Sequence, residues 1–125
     1  MAERIPQDLA REGPMGWSRY FARSTGFFMA VDGQLAFASN AGADSALPAI
    51  ARALRGVDLR WQSLRIDSLS PDLAVMSSPF TEGLTDSLGH TSSIAGYFSA
   101  VAVRGDSGWR LRDLHWSLAH PVPGP

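Results

Sequence analysis

The second half of the chain alternates apolar and polar residues over four long stretches, a pattern typical of β-strands. The predicted strands are 57–68, 73–85, 91–104 and 109–120, and the segments between them are rich in turn-forming residues. Strands of this length exceed the usual five or six residues by about twofold. They predict a strongly curved antiparallel sheet. The alternation slips phase near Ser63, which predicts a β-bulge in the first strand.

The first half of the chain has helical periodicity over 5–13, 16–23 and 43–54. Between the second and third helices, apolar runs at 27–31 and 34–37 flank Asp32-Gly33, the pair that a tight hairpin turn favours. The predicted fold class is therefore α+β. We expect a cone-shaped half-barrel of strongly curved antiparallel sheet wrapped around short N-terminal helices and one further helix.

Composition narrows the classes of function. The net charge is −1, so the chain lacks the positive field of a nucleic-acid-binding protein. All basic residues are arginines, which excludes a catalytic lysine, and the absence of cysteine excludes thiolate chemistry. We expect no cofactor and no metal site. No signal peptide or membrane-spanning run is visible, so a cytoplasmic protein without membrane contact is expected.

The last predicted strand has the pattern of a pocket wall. Strict alternation places Trp109, Leu111, Asp113, His115 and Ser117 on one face, apolar at one end and polar at the other. The candidate catalytic residues are His115, as a general base or acid near neutral pH, and Asp113, which would orient its ring. A structural alternative is open: these polar groups can hydrogen-bond with one another or with backbone and close the end of the cone.

The same alternation places Trp116 on the opposite, outer face, beside Leu114 and Leu118. An apolar patch on a face that should meet water predicts a partner. We therefore expect a homodimer formed through the outer face of the sheet, with Trp116 in the interface.

The remaining candidates are residues that could line an apolar cavity for a small, largely apolar organic molecule. For each of the aromatic residues, packing in the core is the alternative. Glu82 and Asp86 lie near a loop and show no pairing with another acid, and His120 has the opposite parity to His115, which disfavours a two-histidine metal site. The predicted ligand-binding residues are Trp17, Tyr20, Phe28, Trp61, Tyr97, Trp109 and Ser117.

Several short motifs, in their order along the chain, carry a resemblance to a known family. They are Gly16-Trp17-x-x-Tyr20-Phe21, Asp32-Gly33, Leu69-Ser70-Pro71-Asp72-Leu73-Ala74-Val75, and Gly108-Trp109-Arg110-Leu111 followed by His115-x-Ser117. Over roughly 9–117 the chain resembles the nuclear transport factor 2-like superfamily, specifically its SnoaL-like bacterial branch. Residues 1–120 would then form a single SnoaL-like domain, with 121–125 an irregular C-terminal tail.

The resemblance implies a curved sheet and helices around a cavity, and dimers formed through the outer sheet face. Members of the superfamily usually begin with a long helix that covers the mouth of the cone, whereas only 5–13 is available here. The leading functional hypothesis is a small-molecule-binding domain. The alternatives are an isomerase, dehydratase or cyclase, with His115 as base and Tyr20 or Tyr97 polarising a carbonyl, and a non-catalytic dimeric scaffold.

Overall fold

The computed structural model describes residues 1–120, and the predicted tail, 121–125, lies outside the described residues. The described part contains helices α1 (Ile5–Glu12) and α2 (Asn40–Ala53), and 3-10 segments at Ala2–Arg4 and Gly13–Arg19. Its strands are β1 (Phe28–Val31), β2 (Gln34–Phe37), β3 (Leu54–Trp61), β4 (Arg65–Ser70), β5 (Leu73–Asp86), β6 (Thr91–Gly105) and β7 (Gly108–Leu118). The predicted α+β class is confirmed.

Helix α1 ends close to its predicted boundary, at Gly13, whose φ of 70° is left-handed backbone. The second predicted helix, over 16–23, is instead the 3-10 segment Gly13–Arg19. The chain leaves the helix there because it hydrogen-bonds to β7: the Leu111 N–H donates to the Tyr20 carbonyl, and the Ala22 N–H donates to the Leu111 carbonyl, each at 2.7 Å. These tertiary hydrogen bonds outweigh the local helical pattern.

Helix α2 begins at Asn40, three residues before its predicted start. Ser39 is its N-cap, with the side-chain oxygen accepting a hydrogen bond from the Gly42 N–H at 3.1 Å. The preceding hairpin of β1 and β2 is confirmed. Asp32 and Gly33 both have positive φ, 49° and 85°, as a two-residue turn of this kind requires.

The first predicted long strand, 57–68, is wrong as one element. It is two strands that pair with different parts of the same edge of β5: β3 with Phe80–Asp86 and β4 with Leu73–Ser77. Between them the Gln62 N–H donates to the Pro79 carbonyl at 2.9 Å. The phase slip near Ser63 therefore marks a break in the strand rather than a bulge within it.

The seven strands form one curved sheet in the order β2-β1-β7-β6-β5-β3, with β4 beside β5. Neighbours are antiparallel except for β1 and β7, which run parallel. The sheet is unclosed and wraps around the helices, so the predicted cone-shaped half-barrel is confirmed, with one parallel pairing added to the predicted antiparallel sheet.

A β-bulge in β7 decides which side chains enter the cone. Ala102 pairs with Leu111 and Val101 with Asp113, so Arg112 is an extra residue on β7. The extra residue reverses the alternation beyond it, and Leu114 and Trp116 are buried on the concave face. The predicted outward position of Trp116 is therefore wrong.

The concave face is packed with aromatic rings. Trp116 is 9% exposed, and its ring centroid lies 4.2 Å from that of Phe98 and 4.8 Å from that of Phe80. Beside Phe80, on β6, Gly96 allows a close approach of the β7 backbone, since a Cβ there would lie 1.8 Å from the Ser117 carbonyl oxygen. The core thus occupies the concave side of β5, β6 and β7.

Candidate functional site

A cavity of about 180 Å³ remains within the cone, between the concave face of the sheet, α2 and the Gly13–Arg19 segment. Its walls are almost entirely aliphatic and aromatic, and one titratable side chain, Glu82, is among the described residues that line it. The apolar lining residues are Pro14, Trp17, Met29, Val31, Phe37, Leu47, Ile50, Leu54, Val57, Phe80, Leu84, Ile94, Trp116 and Leu118. An apolar pocket with a single polar group is the usual form of a small-molecule site.

Glu82 enters the cavity because of its position on β5. Side chains on a strand alternate between its faces, and Glu82 lies between Phe80 and Leu84, both of which line the cavity. It pairs with Leu59 on β3 and Ile94 on β6, so apolar strands flank it on both sides. Its backbone pairs on both sides within the sheet, which fixes the point from which the side chain enters the cavity.

Burial raises the pKa of the Glu82 carboxyl from 4.5 to about 7. The cause is desolvation, because removal of the carboxyl from water disfavours its ionised form. No positive charge among the described residues offsets that cost. Glu82 therefore exists in both protonation states near neutral pH, and it can donate or accept a hydrogen bond. A carboxyl of this kind is suited to proton transfer.

Glu82 was expected to lie near a loop without a paired acid, whereas it lies within β5 at the cavity, and the sequence carried a signal for this. Alternate residues of the fifth strand, Ala74, Met76, Ser78 and Phe80, are all buried on the concave face. Extending that alternation by one step places Glu82 on the same face. An acid that continues an apolar series is therefore the pattern that indicates this site.

Two of the predicted ligand-binding residues lie at or beside the cavity. Trp17 lines it, with its ring 5.6 Å from that of Trp116 in an edge-to-face arrangement. Trp61 is partly buried and packs against the core, where it stacks on Phe98 at 5.1 Å and its Nε1 donates to the Ala2 carbonyl at 3.0 Å. Trp61 therefore packs behind the aromatic wall rather than in it.

Tyr20 and Trp109 lie in a second, polar depression, which we call the arginine cleft. It is formed by Arg4, Arg11, Arg19 and Arg110 around Asp8, together with Tyr20 and Trp109, and it encloses about 690 Å³. The Tyr20 hydroxyl donates a hydrogen bond to the Asp8 carboxylate. Burial, followed by this bond to Asp8, raises the pKa of Tyr20 to about 12. Neither residue lines the cavity, contrary to the prediction.

The other predicted site residues lie on the convex face, outside the cone, because of the bulge at Arg112. Asp113 accepts hydrogen bonds from Arg112, with Nε at 2.7 Å, and His115 is exposed and packs edge-to-face on Phe28 at 5.3 Å. The predicted placement of His115, Asp113, Phe28, Tyr97 and Ser117 in the cavity is therefore wrong.

Tyr97 is 49% exposed, and Ser117 donates to the Tyr97 carbonyl at 3.3 Å. Any chemistry by His115 and Asp113 at this outer surface stays an untested prediction. Within residues 1–120, no group of three or more histidine, aspartate or glutamate side chains is placed to hold a metal ion.

None of the helices in the described part of the chain is long and apolar enough to cross a membrane.

Comparisons with known proteins agree at the level of fold. No protein-family model matches the sequence, and no curated protein matches it. Among solved structures, a nuclear transport factor 2-like superfamily protein from Salmonella enterica is similar with a TM-score of 0.79 and 14% identity, over 98% of this chain and 88% of that one.

Two further structures are similar. A putative scytalone dehydratase from Novosphingobium aromaticivorans has a TM-score of 0.81 and 13% identity, over 95% of this chain and 79% of that one. The structure of LinA has a TM-score of 0.69 and 14% identity, over 99% of this chain and 91% of that one. Likeness at such identities concerns the fold alone. The chain therefore has the nuclear transport factor 2-like fold, as its sequence resemblance predicted.

Proposed function

We propose that the protein binds a small, largely apolar organic molecule in the cone cavity, with one polar group of the ligand against Glu82. The observation that carries this proposal is the single carboxyl, with a pKa raised to about 7, in an otherwise apolar cavity. Glu82 is half-buried, and ionising a carboxyl that is partly withdrawn from water is costly; a ligand group that hydrogen-bonds with it would offset that cost.

The size of the cavity limits the ligand. A cavity of roughly 150 Å³ accommodates benzene, and this one has about 180 Å³. The best fit is one six-membered ring with a small substituent. The open space also counts against the hypothesis of a scaffold whose cone is filled by its own side chains.

The charge of the ligand follows from the cavity walls. No arginine lines the cavity among the described residues, and Glu82 carries a partial negative charge near pH 7. An anionic ligand would therefore be desolvated without a counter-charge, which is unfavourable. A neutral ligand with a carbonyl or hydroxyl group fits best.

A second function, proton transfer, is favoured by the pKa of Glu82. General acid–base groups work best when their pKa lies near the pH at which they act. Glu82 would remove a proton from the carbon beside a ligand carbonyl. It would then return the proton to another carbon, as in an isomerase, or give it to a departing β-hydroxyl, which leaves as water while a C=C bond forms, as in a dehydratase. One structural relative is named a putative scytalone dehydratase, which fits this class of reaction. His115 has no part in this proposal, because it faces away from the cavity.

Ligand binding is tested by thermal unfolding with toluene, benzaldehyde and benzoate as probes. We expect benzaldehyde to raise Tm most, toluene less and benzoate not at all, since only ligands that bind the native state stabilise it. Glu82→Leu should remove the preference for benzaldehyde over toluene, and Asp58→Asn, at an exposed acid on β3, should keep it. If no neutral ring compound shifts Tm, the binding proposal fails.

Proton transfer is tested by exchange of the α-protons of cyclohexanone in D₂O, followed by NMR. We expect the protein to accelerate this exchange, increasingly so as pH rises through about 7, where Glu82 becomes the carboxylate. Glu82→Gln should slow it by about 10²-fold or more, and Asp58→Asn should leave it unchanged. Binding of cyclohexanone without accelerated exchange would reject catalysis and leave a binding protein.

We also propose that the protein is a homodimer that associates through the convex face of β5, β6 and β7. Tyr97 on β6 and His115 on β7 supply rings to that face, and Phe28, on the neighbouring strand β1, packs edge-to-face on His115; Trp116 is not among them. Half-exposed aromatic side chains on a face with few charges favour association.

A further inference from the structure

We propose that the arginine cleft is a second binding site, which takes an oxyanion carried on an organic ring, with a phosphate monoester as the representative ligand. This goes beyond the proposed function, because the cleft and the cavity share no lining residue. The cleft lies at the start of β7, and the cavity lies between the sheet and α2.

Two walls bring the arginines of the cleft together. On one wall, Arg4, Asp8 and Arg11 follow the spacing that aligns side chains on one face of a helix, and they belong to α1 and the residue before it. On the other wall are Trp109 and Arg110, at the start of β7. The cleft is therefore a gap between helix and sheet, with guanidinium groups on both sides.

Two of the four arginines are balanced by carboxylates. Asp8 lies 2.7 Å from Arg11 and 3.3 Å from Arg19, and Glu12 lies 2.6 Å from Arg19 and 3.1 Å from Arg11. Two carboxylates thus face two guanidinium groups. The pKa of Asp8 is lowered, first by the Tyr20 hydroxyl and then by the two arginines, so Asp8 is ionised at neutral pH.

The other two arginines give the cleft its excess positive charge. Within residues 1–120, neither Arg4 nor Arg110 has a carboxylate within 4.0 Å. Arg110 is held by a hydrogen bond to the Phe21 carbonyl at 3.5 Å. The four arginines and the Met1 ammonium, which pairs with Glu3, meet the carboxylates of Asp8, Glu12 and Glu3, so five positive charges face three negative ones in a chain whose net charge is −1. A dianion between the two walls would balance them.

The chemistry of the cleft favours an oxyanion with a ring attached. Guanidinium groups bind phosphate and carboxylate through paired hydrogen bonds, more strongly than neutral donors do. The half-buried Trp109 supplies an apolar surface beside these charges, suited to a flat ring. Asp8 is 8% exposed and fixes Arg11 and Arg19 in place, which lowers the entropy lost when an anion binds.

The test is isothermal titration of the whole chain with phenyl phosphate, inorganic phosphate and benzyl alcohol at low salt. We expect phenyl phosphate to bind most tightly, inorganic phosphate more weakly, and benzyl alcohol not to compete with either. Binding of both phosphates should weaken as salt is added, because the contacts are partly exposed charges.

Matched variants separate a binding site from a general charge effect. Arg4→Gln and Arg110→Gln should each weaken phenyl phosphate binding by about tenfold or more. Arg60→Gln removes the same charge from an exposed pair with Asp58 on β3 and should change nothing. Glu12→Gln should tighten binding by roughly threefold, since it removes a negative charge that balances Arg19. Glu82→Gln should bind phenyl phosphate like the unmodified chain.

Two outcomes would overturn the proposal. One is that neither phenyl phosphate nor inorganic phosphate binds at ligand concentrations up to about 10 mM, which would put both dissociation constants above that value. The other is that Arg4→Gln and Arg110→Gln bind phenyl phosphate as tightly as Arg60→Gln does. Because Arg4 is exposed, its substitution should leave folding intact, so a loss of binding in that variant reports on the cleft itself.

Discussion

At the scale of single residues, Glu82 dominates the chemistry of the cavity. Its carboxyl is held among apolar side chains by the strand that carries it, and burial raises its pKa to about 7. A raised pKa means that folding favours the protonated form. Ionisation of Glu82 in the folded protein therefore lowers the free energy of unfolding.

We expect Glu82→Gln to remove a specific pH dependence of the free energy of unfolding. The favourable contribution of the protonated carboxyl is complete below its unfolded pKa of 4.5 and is lost as pH rises through about 7. Glutamine cannot ionise. The variant should therefore gain up to roughly 3 kcal/mol relative to the unmodified chain between pH 4.5 and pH 8.

Urea unfolding of both chains at pH 5 and pH 8 measures this difference, and all other titrating groups are common to the two. Asp58→Asn is the control at an exposed acid. The free energy of unfolding of this variant should not rise relative to the unmodified chain between pH 5 and pH 8, as that of Glu82→Gln does. Parallel pH profiles for Glu82→Gln and the unmodified chain would contradict the raised pKa.

Part of the environment of Glu82 could be predicted from the sequence. The face of Glu82 follows from its alternation with Phe80 and Leu84. That an open cavity surrounds it does not follow from alternation, because the space depends on how Trp17 and Leu47, from two helical segments, pack against the sheet. Packing between distant segments is not a local property of the chain.

At the scale of elements, β7 shows how one extra residue changes a functional prediction. Leu111 and Leu114 are both buried although they are three residues apart, a spacing that strict alternation forbids. The bulge at Arg112 accounts for it. The strict period of two predicted the two faces of the strand correctly up to Leu111 and wrongly beyond it.

Paired alanine substitutions at neighbouring positions test the bulged phase of β7. Trp116→Ala should destabilise the protein by about 3–5 kcal/mol, because it empties the centre of the aromatic cluster. His115→Ala, at an exposed position, should change stability by less than about 0.5 kcal/mol.

Chemical denaturation of the two variants gives the comparison directly. The unbulged strand would give the opposite order, with His115→Ala the more damaging. Equal losses of stability in Trp116→Ala and His115→Ala would contradict both the bulged and the unbulged alternation of β7.

At the scale of the whole molecule, the order of helices and strands was predictable apart from the 3-10 segment Gly13–Arg19 and the division of one predicted strand into β3 and β4, but the pairing of β1 with β7 was not. Each element has a local signal, such as Asp32-Gly33 for the hairpin. The parallel pairing joins Phe28 to Asp113, and no local pattern specifies a partner so far along the chain. The convex face of the resulting sheet is what a second copy would meet.

We expect Tyr97→Glu to convert a dimer into a monomer, because a charge at the centre of the convex face would be buried without a partner. Light scattering coupled to size exclusion measures the mass. Leu88→Glu is the matched control: it adds the same charge at an exposed apolar residue in the turn between β5 and β6. A monomeric unmodified chain, or a Tyr97→Glu dimer, would contradict the proposed interface.

The parallel pairing of β1 with β7 also governs when the protein can fold during its synthesis. The ribosome releases the hairpin of β1 and β2 before the other described strands, but β7, which flanks β1, follows all six of the others along the chain. Phe21 and Met29 therefore stay without their β7 neighbours until β7 itself has been synthesised. Nascent chains that stop before β7 would expose the aromatic N-terminal half, and they are the form of this protein most exposed to chaperones and proteases.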